Sequence, residues 1–199
     1  MRIGVLGTGQ VGSAVGRKLA ALGHDVKFGS RAPRDKADAF AGLAVGSYAE
    51  AAAHGEWLVN ALPGEASIGI LGACDIDGKI LIDIANYDLA VDQPIATPLG
   101  EVLQSTYPGV RLVKTLNSVS AHLMVDPQAL SALHHVFIAS NDADAKRQVT
   151  ELLRSFGWRE IIDLGDLTAC RAMEQLIPLW MRLESALGGP NFNLAVIRS

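Results

Sequence analysis

From Arg2 to Asp163 the chain alternates short apolar runs with longer segments in which apolar positions recur every three or four residues. The runs end in Gly, Asn or Asp, and this alternation predicts a parallel sheet covered by helices on both faces. Strands are expected over 2–7, 25–29, 57–61, 79–84, 111–115, 135–139 and 159–163. Helical spacing fills 10–22, 33–41, 47–53, 65–73, 97–106 and 142–156, with a further short helix within 120–131. Ile80, Leu81 and Ile82, like the run over 135–139, lack polar alternation, as strands buried on both faces do.

Beyond Asp163 the pattern changes. Leu167, Ala172, Met173, Leu176, Ile177, Leu179, Trp180 and Leu183 recur at helical spacing over more than four turns. Pro178 is expected to kink this helix one turn upstream, and Gly188-Gly189-Pro190 to end it. Such a helix can pack over a ligand crevice, form a subunit interface, or do both. At 199 residues one domain is expected, with 1–164 as the sheet domain and 165–199 as a helical segment packed on it.

Charge and composition then narrow the partners. With 17 basic and 21 acidic residues and a formal net charge of -4, no run of like charge marks a nucleic-acid or anionic-membrane surface. A small-molecule partner is expected instead. The first apolar run is too short for a signal segment, and no stretch approaches the roughly 18 apolar residues of a membrane span. A soluble cytoplasmic protein is the expectation. Cys74 and Cys170 form no CxxC pattern and read as two buried free thiols. His134 and His135 are adjacent in a strand, so their side chains point to opposite faces and cannot share a metal.

The candidate chemistry starts at the first strand end. Gly7-Thr8-Gly9-Gln10-Val11-Gly12 follows an apolar strand and opens a helix carrying Ala14, Val15, Leu19 and Leu22. In that context GxGxxG is a dinucleotide-binding loop: Gly7 for the tight turn, Gly9 for close approach of the pyrophosphate, Gly12 for helix-on-strand packing. The fold class is therefore α/β, a doubly wound Rossmann-type, mostly parallel sheet with a small helical C-terminal part. An NAD enzyme places a carboxylate at the end of the second strand; here the strand ends in Ser30-Arg31, with Arg34 and Lys36 beyond. A hydroxyl and a guanidinium suit the 2'-phosphate of NADP(H). The next two strand ends add Ala61, Leu62 and Pro63 beside the cofactor ribose, and Asn86 near the carboxamide or ribose. A turn-capping role is equally open to the Asn residues.

Taken together, these residues resemble the short NADP oxidoreductases that use the deazaflavin coenzyme F-420, and the related cytosolic domain of the six-transmembrane metalloreductases. The likeness extends through Gly29-Ser30-Arg31, Leu62-Pro63, Lys114-Thr115-Leu116-Asn117, the helix entry Ser140-Asn141-Asp142-Ala143-Asp144-Ala145, and Asp163-Leu164-Gly165 to Arg171. The resemblance implies bound NADP(H), a dimer, and a flavin or deazaflavin co-substrate stacked on the nicotinamide as electron acceptor. The chain departs from the deazaflavin enzymes at Asn117-Ser118-Val119-Ser120, where they carry His-Thr-x-Pro.

Hydride transfer between two stacked rings needs positioning more than a dedicated acid or base. The expected crevice is formed by Asn86 and Asn117 on the cofactor side and by Val119, Leu167 and Thr168 on the substrate side. His122 is the first candidate proton donor, followed by Lys114 and Tyr87, each weighed against a structural role. Reduction of a small carbonyl or imine is the alternative, although no Lys follows Lys146 to supply a proton. A redox-sensing module that binds NADP(H) without chemistry is a further alternative.

Overall fold

A computed structural model describes residues 1–88 and 96–198. Eight strands form one sheet in the order β3-β2-β1-β4-β5-β6-β7-β8. They are β1 (Arg2–Leu6), β2 (Asp25–Gly29), β3 (Ala44–Gly46), β4 (Trp57–Asn60), β5 (Ile80–Asp83), β6 (Arg111–Thr115), β7 (His135–Ala139) and β8 (Glu160–Asp163). The helices are α1 (Gln10–Ala21), α2 (Tyr48–His54), α3 (Gly64–Leu71), α4 (Leu99–Thr106), α5 (Ala121–Val125), α6 (Ala143–Phe156) and α7 (Cys170–Leu187). This is the expected doubly wound α/β architecture.

Strand side chains alternate between two apolar faces, which explains the runs without polar alternation. Ile3, Val5, Val59, Ile82 and Val113 face α1, α5 and α6; Leu6, Leu58, Leu81 and Leu112 face α2, α3 and α4. The expected helix over 33–41 is instead two 3-10 turns, Arg34–Lys36 and Asp38–Phe40, followed by the unexpected strand β3. That segment offers the core one large side chain, Phe40, too narrow an apolar stripe to support three helical turns. Phe40 packs 4.5 Å from the Phe28 ring, with the Arg17 guanidinium 5.1 Å from its own ring. Cys170 is buried as expected, but Cys74 is only half-buried.

One reversal shapes everything beyond β6. β7 runs antiparallel to it, with Lys114 opposite Ala139 and Thr115 opposite Ile138. The five residues of α5 are too short to carry the chain back along the sheet, so β7 starts at the end where β6 stops. Its far end, Ser140 to Asp142, consequently lies beside the start of β6: Ser140 Oγ donates to the Leu112 carbonyl at 2.6 Å, and Arg111 pairs with Asp142 at 2.6 Å. From there α7 rises past α4 toward the carboxyl end of the parallel strands. The helix continues through Pro178 and ends at Gly188, whose φ of 76° is the left-handed stop that glycine favours. Buried on it are Cys170, Met173 and Glu174, all near its start. Further along, Leu179, Met181 and Leu187 are 51%, 49% and 64% exposed. The tail then turns back: Ser120 Oγ donates to the Pro190 carbonyl, His135 N donates to Leu194 O, and Phe192 packs on Trp180. No helix among the described residues is long and apolar enough to cross a membrane.

Candidate functional site

The glycine loop lies where β1 passes into α1. Gly7 has φ +120°, and a Cβ there would sit 2.5 Å from the Ala61 carbonyl oxygen; one on Gly12 would sit 2.2 Å from the Gly7 carbonyl. Both glycines are therefore demanded by the chain itself. Gly9 differs. Its φ of -76° suits any residue, and a Cβ there would meet nothing within 4 Å. Since neither conformation nor packing requires glycine at position 9, the requirement fits a ligand that approaches the backbone closely. No side chain caps α1, and its first turn carries no acidic residue. Its first N–H groups and positive dipole end are thus available to a pyrophosphate, and Thr8, Gln10 and Val11 stand at the same opening.

At the end of β2, Ser30 is buried and its Oγ accepts from Ala32 N at 3.2 Å, turning the chain outward. Arg31 follows, exposed, with no side-chain hydrogen bond or ion pair to the described residues. Arg34 is exposed in the first 3-10 turn. A free guanidinium beside a hydroxyl, with no carboxylate at this strand end, matches a 2'-phosphate rather than a bare ribose.

A row of buried polar side chains crosses the carboxyl ends of three strands, because Asn60, Asp83 and Lys114 are register partners on β4, β5 and β6. Asn60 Nδ2 donates to Asp83 Oδ1 at 2.8 Å, and Leu62 N donates to Asn60 Oδ1 at 3.3 Å, fixing the backbone at Ala61 and Leu62. Lys114 is fully buried. Its ammonium donates to Asp83 Oδ2 at 2.9 Å and to the Ala85 carbonyl at 2.5 Å, and it pairs with Glu174 Oε1 at 3.1 Å. Glu174, from α7, also accepts from Leu99 N at 2.7 Å and Gly100 N at 3.0 Å, capping α4 from 75 residues away. Burial opposes the charge on Lys114, but the Asp83 and Glu174 carboxylates override it and hold the ammonium above the usual lysine range. Burial likewise pushes the neighbouring Cys170 thiol up to about 12.

Above this row the chain makes an unusual turn. Leu116, at φ 62°, is the one non-glycine residue with positive φ among those described. That conformation strains a leucine by about 1 to 2 kcal/mol, offset here by burial of its side chain. The turn brings Asn117 Nδ2 to Asn86 Oδ1 at 3.0 Å and to the Met173 carbonyl at 2.9 Å, while Asn86 Nδ2 donates to the Asn117 carbonyl at 2.8 Å. Gly64 N, at the head of α3 just after the exposed Pro63, donates to the Asn86 carbonyl at 3.1 Å.

The structure thus gathers Gly7 to Gly12, Ser30, Arg31, Ala61, Leu62, Pro63, Asn86 and Asn117 along one edge, and Val119 is buried in the adjacent turn. Leu167 and Thr168 fall elsewhere. Leu167 N donates to Asn141 Oδ1 at 3.0 Å, next to Asp142 and the start of β6, and the Leu167 side chain is buried. The reversal of β7 puts this segment at the opposite end of the sheet from the glycine loop; the expected crevice wall is supplied higher up, by Met173 on α7. Lys114 cannot act as a proton donor, because it is fully buried, with its ammonium hydrogen-bonded to Asp83 and Ala85 and paired with Glu174. His122 is exposed, with Nε2 3.4 Å from Asn191 Oδ1, and Tyr87 is half-buried. Among the described residues no group of His, Cys, Asp or Glu is placed to hold a metal. Sequence reasoning missed Asn60, Asp83 and Glu174. Glu174 was findable, since it shares the i, i+3, i+4, i+7 stripe of Cys170, Met173 and Ile177.

The chain is similar to known proteins in sequence and fold. The family profile "NADP oxidoreductase coenzyme F420-dependent" matches residues 2–87. A crystal structure from Arthrobacter sp. FB24, provisionally described as an F420-dependent NADP reductase, superposes with a TM-score of 0.93 at 41% identity, over 100% of both chains. Human metalloreductase STEAP2 is 32% identical over 191 residues, covering 94% of this chain and 37% of the human protein. Rat metalloreductase STEAP3 is 29% identical over 186 residues, covering 90% of this chain and 38% of the rat protein. The chain therefore spans well under half the length of these curated relatives. Full-length similarity to the Arthrobacter protein, with the glycine loop and strand ends in place, assigns this chain to the NADP oxidoreductase, coenzyme F420-dependent family of NADP-dependent oxidoreductases.

Proposed function

We propose that the protein exchanges a hydride between NADPH and a flavin or deazaflavin ring lying over the nicotinamide at the carboxyl ends of β4, β5 and β6. The observation that carries the cofactor assignment is the pairing of Gly9, where neither conformation nor packing asks for glycine, with Arg31, which has no side-chain hydrogen bond or ion pair among the described residues. The first turn of α1 holds the pyrophosphate, Ser30, Arg31 and Arg34 the 2'-phosphate, and the backbone at Ala61 to Pro63 the ribose.

The acceptor assignment rests on the placement of the first two candidate proton donors. Lys114 is sequestered, and His122 is exposed beyond the Asn117 turn. Transfer of a hydride between two rings is the chemistry the bound pair supplies. The part of the chain is orientation: Asn86 and Asn117 stiffen the floor of the crevice, and Met173 and the start of α7 close one side. Reduction of a carbonyl or imine would need a donor near the substrate, a role that neither Lys114 nor His122 is placed to fill and that falls to Tyr87, half-buried one residue past Asn86.

Oxidation of NADPH under anaerobic conditions against deazaflavin, FMN, FAD, ferric chelates and small carbonyls tests the reading. Stereospecific transfer from deuterated NADPH to a flavin or deazaflavin is the expected result. Turnover with carbonyls or imines alone would refute it, and NADPH binding without any transfer would favour a redox sensor.

The exposed apolar face of α7 is covered, in the same proposal, by a second copy of the chain. Leu179→Glu combined with Leu187→Glu, two exposed residues about 80° apart around α7 and so on one side of it, should convert a dimer to a monomer in light scattering; a wild-type monomer at all concentrations would exclude that interface.

A further inference from the structure

We infer that Lys114 is a positioning residue for the nicotinamide end of the site, its ammonium fixing the Ala85 carbonyl and, through it, the Asn86–Asn117 pair that floors the crevice. This rests on the NADP(H) reading above. The ammonium donates two hydrogen bonds, to Asp83 on β5 and to the Ala85 carbonyl just beyond it, and forms an ion pair with Glu174 on α7. One residue past Ala85 stands Asn86, bonded in both directions to Asn117, which is in turn bonded to the Met173 carbonyl next to Glu174. The segments that meet at the crevice floor, after β5, after β6 and at the start of α7, are thus tied together through one buried cation.

Stability alone does not account for such a device. Desolvating three charged groups is expensive, and a well-packed apolar cluster of the same volume commonly gives an equally or more stable protein. What the charged cluster provides is direction. Each bond fixes an acceptor at a set distance, whereas apolar packing would let the 85–86 segment and the Asn117 turn slide. The strained Leu116 points the same way, since a left-handed leucine persists only where its surroundings over-determine it. Both features converge on the turn carrying Asn117, and neither touches the adenosine end, which is held by the glycine loop and β2.

The cluster should therefore affect one half of the dinucleotide and spare the other. Isothermal titration of the wild type, Lys114→Met and Glu174→Gln with NADPH and with adenosine 2',5'-bisphosphate separates the halves, and nicotinamide fluorescence reports the environment of the bound ring. For Lys114→Met the bisphosphate should bind within about twofold of wild type, while NADPH weakens about tenfold, the equivalent of one hydrogen bond, and loses its bound-state emission shift. Glu174→Gln keeps the Lys114–Asp83 pair and the side-chain volume, so it should shift NADPH in the same direction by about threefold, and it decides the matter if Lys114→Met does not fold. Parallel weakening of both ligands would reduce Lys114 to a general structural role and overturn the inference, as would unchanged NADPH affinity and emission. A wild type that binds neither ligand would instead overturn the NADP(H) reading itself.

Discussion

Replacing Arg31 by Ala tests the cofactor assignment most directly, because the structure separates its expected effects on binding and on folding. The guanidinium is exposed and makes no side-chain hydrogen bond or ion pair to the described residues, so its removal should change stability by no more than about 0.5 kcal/mol. Binding is another matter. A charge-assisted hydrogen bond to the 2'-phosphate contributes about 1.5 to 3 kcal/mol, a factor of roughly 10 to 150 in affinity. Exposure to solvent places this contact toward the lower end, and screening should erode it further as salt rises. Fluorescence titrations of wild type and Arg31→Ala with NADPH and NADH, at about 50 and about 300 mM salt, read every part of this expectation. NADPH affinity should fall about tenfold or more while NADH affinity stays nearly unchanged, and the variant should lose most of the salt dependence of its NADPH preference. Equal losses for the two dinucleotides, or no loss for either, would show that Arg31 does not read the phosphate.

Other substitutions divide along similar lines. Gly9→Ala should leave stability within about 1 kcal/mol, since its φ and surroundings admit a methyl group, yet weaken NADPH about tenfold or more; an undiminished affinity would remove the pyrophosphate from this loop. Gly12→Ala should instead destabilise the protein by about 1 to 3 kcal/mol in denaturant titration, because its Cβ would meet the Gly7 carbonyl at 2.2 Å. His122→Gln should leave hydride transfer within a few-fold, whereas loss of a general acid would slow it about 100-fold. Hydrogen bonding from Arg111 and Ala145 N holds the Asp142 carboxyl at about 2, below the usual aspartate range. Its contribution to stability should accordingly be complete above about pH 4 and disappear as pH falls through about 2. Asp142→Asn, which can still cap α6, should flatten that acid limb in pH-dependent unfolding; an unchanged limb would mean that the Arg111 pair contributes nothing there.

Much of this was legible in the chain because the strands here are short aliphatic runs punctuated by turn residues. Ile80 to Ile82 and the glycine loop announce themselves, and the missing carboxylate after β2 is visible in Ser30-Arg31. β3 was not legible: Ala44-Val45-Gly46 is three residues long, and its pairing with β2 is decided by tertiary contact rather than by pattern. The placement of Leu167 and Thr168 failed for a different reason. Sequence shows where strands lie but not which way each runs, and the reversal of β7 brings Leu167 against Asn141, beside the start of β6, before α7 returns to the crevice. Lys114 stood out as chemistry in the sequence; only the meeting of Asp83 and Glu174 around it, from elements far apart in the chain, reveals an anchored cation.

That meeting also imposes a timetable. During synthesis Lys114 leaves the ribosome 60 residues before Glu174, an interval of about 3 to 12 s at 5 to 20 residues per second. Throughout that interval the first turn of α4 has no carboxylate to accept from Leu99 and Gly100, and the sheet holds a lysine with one of its two counter-charges missing. The nascent sheet should therefore stay loose at its carboxyl edge until α7 emerges, and the crevice floor should become rigid only once Glu174 is in place.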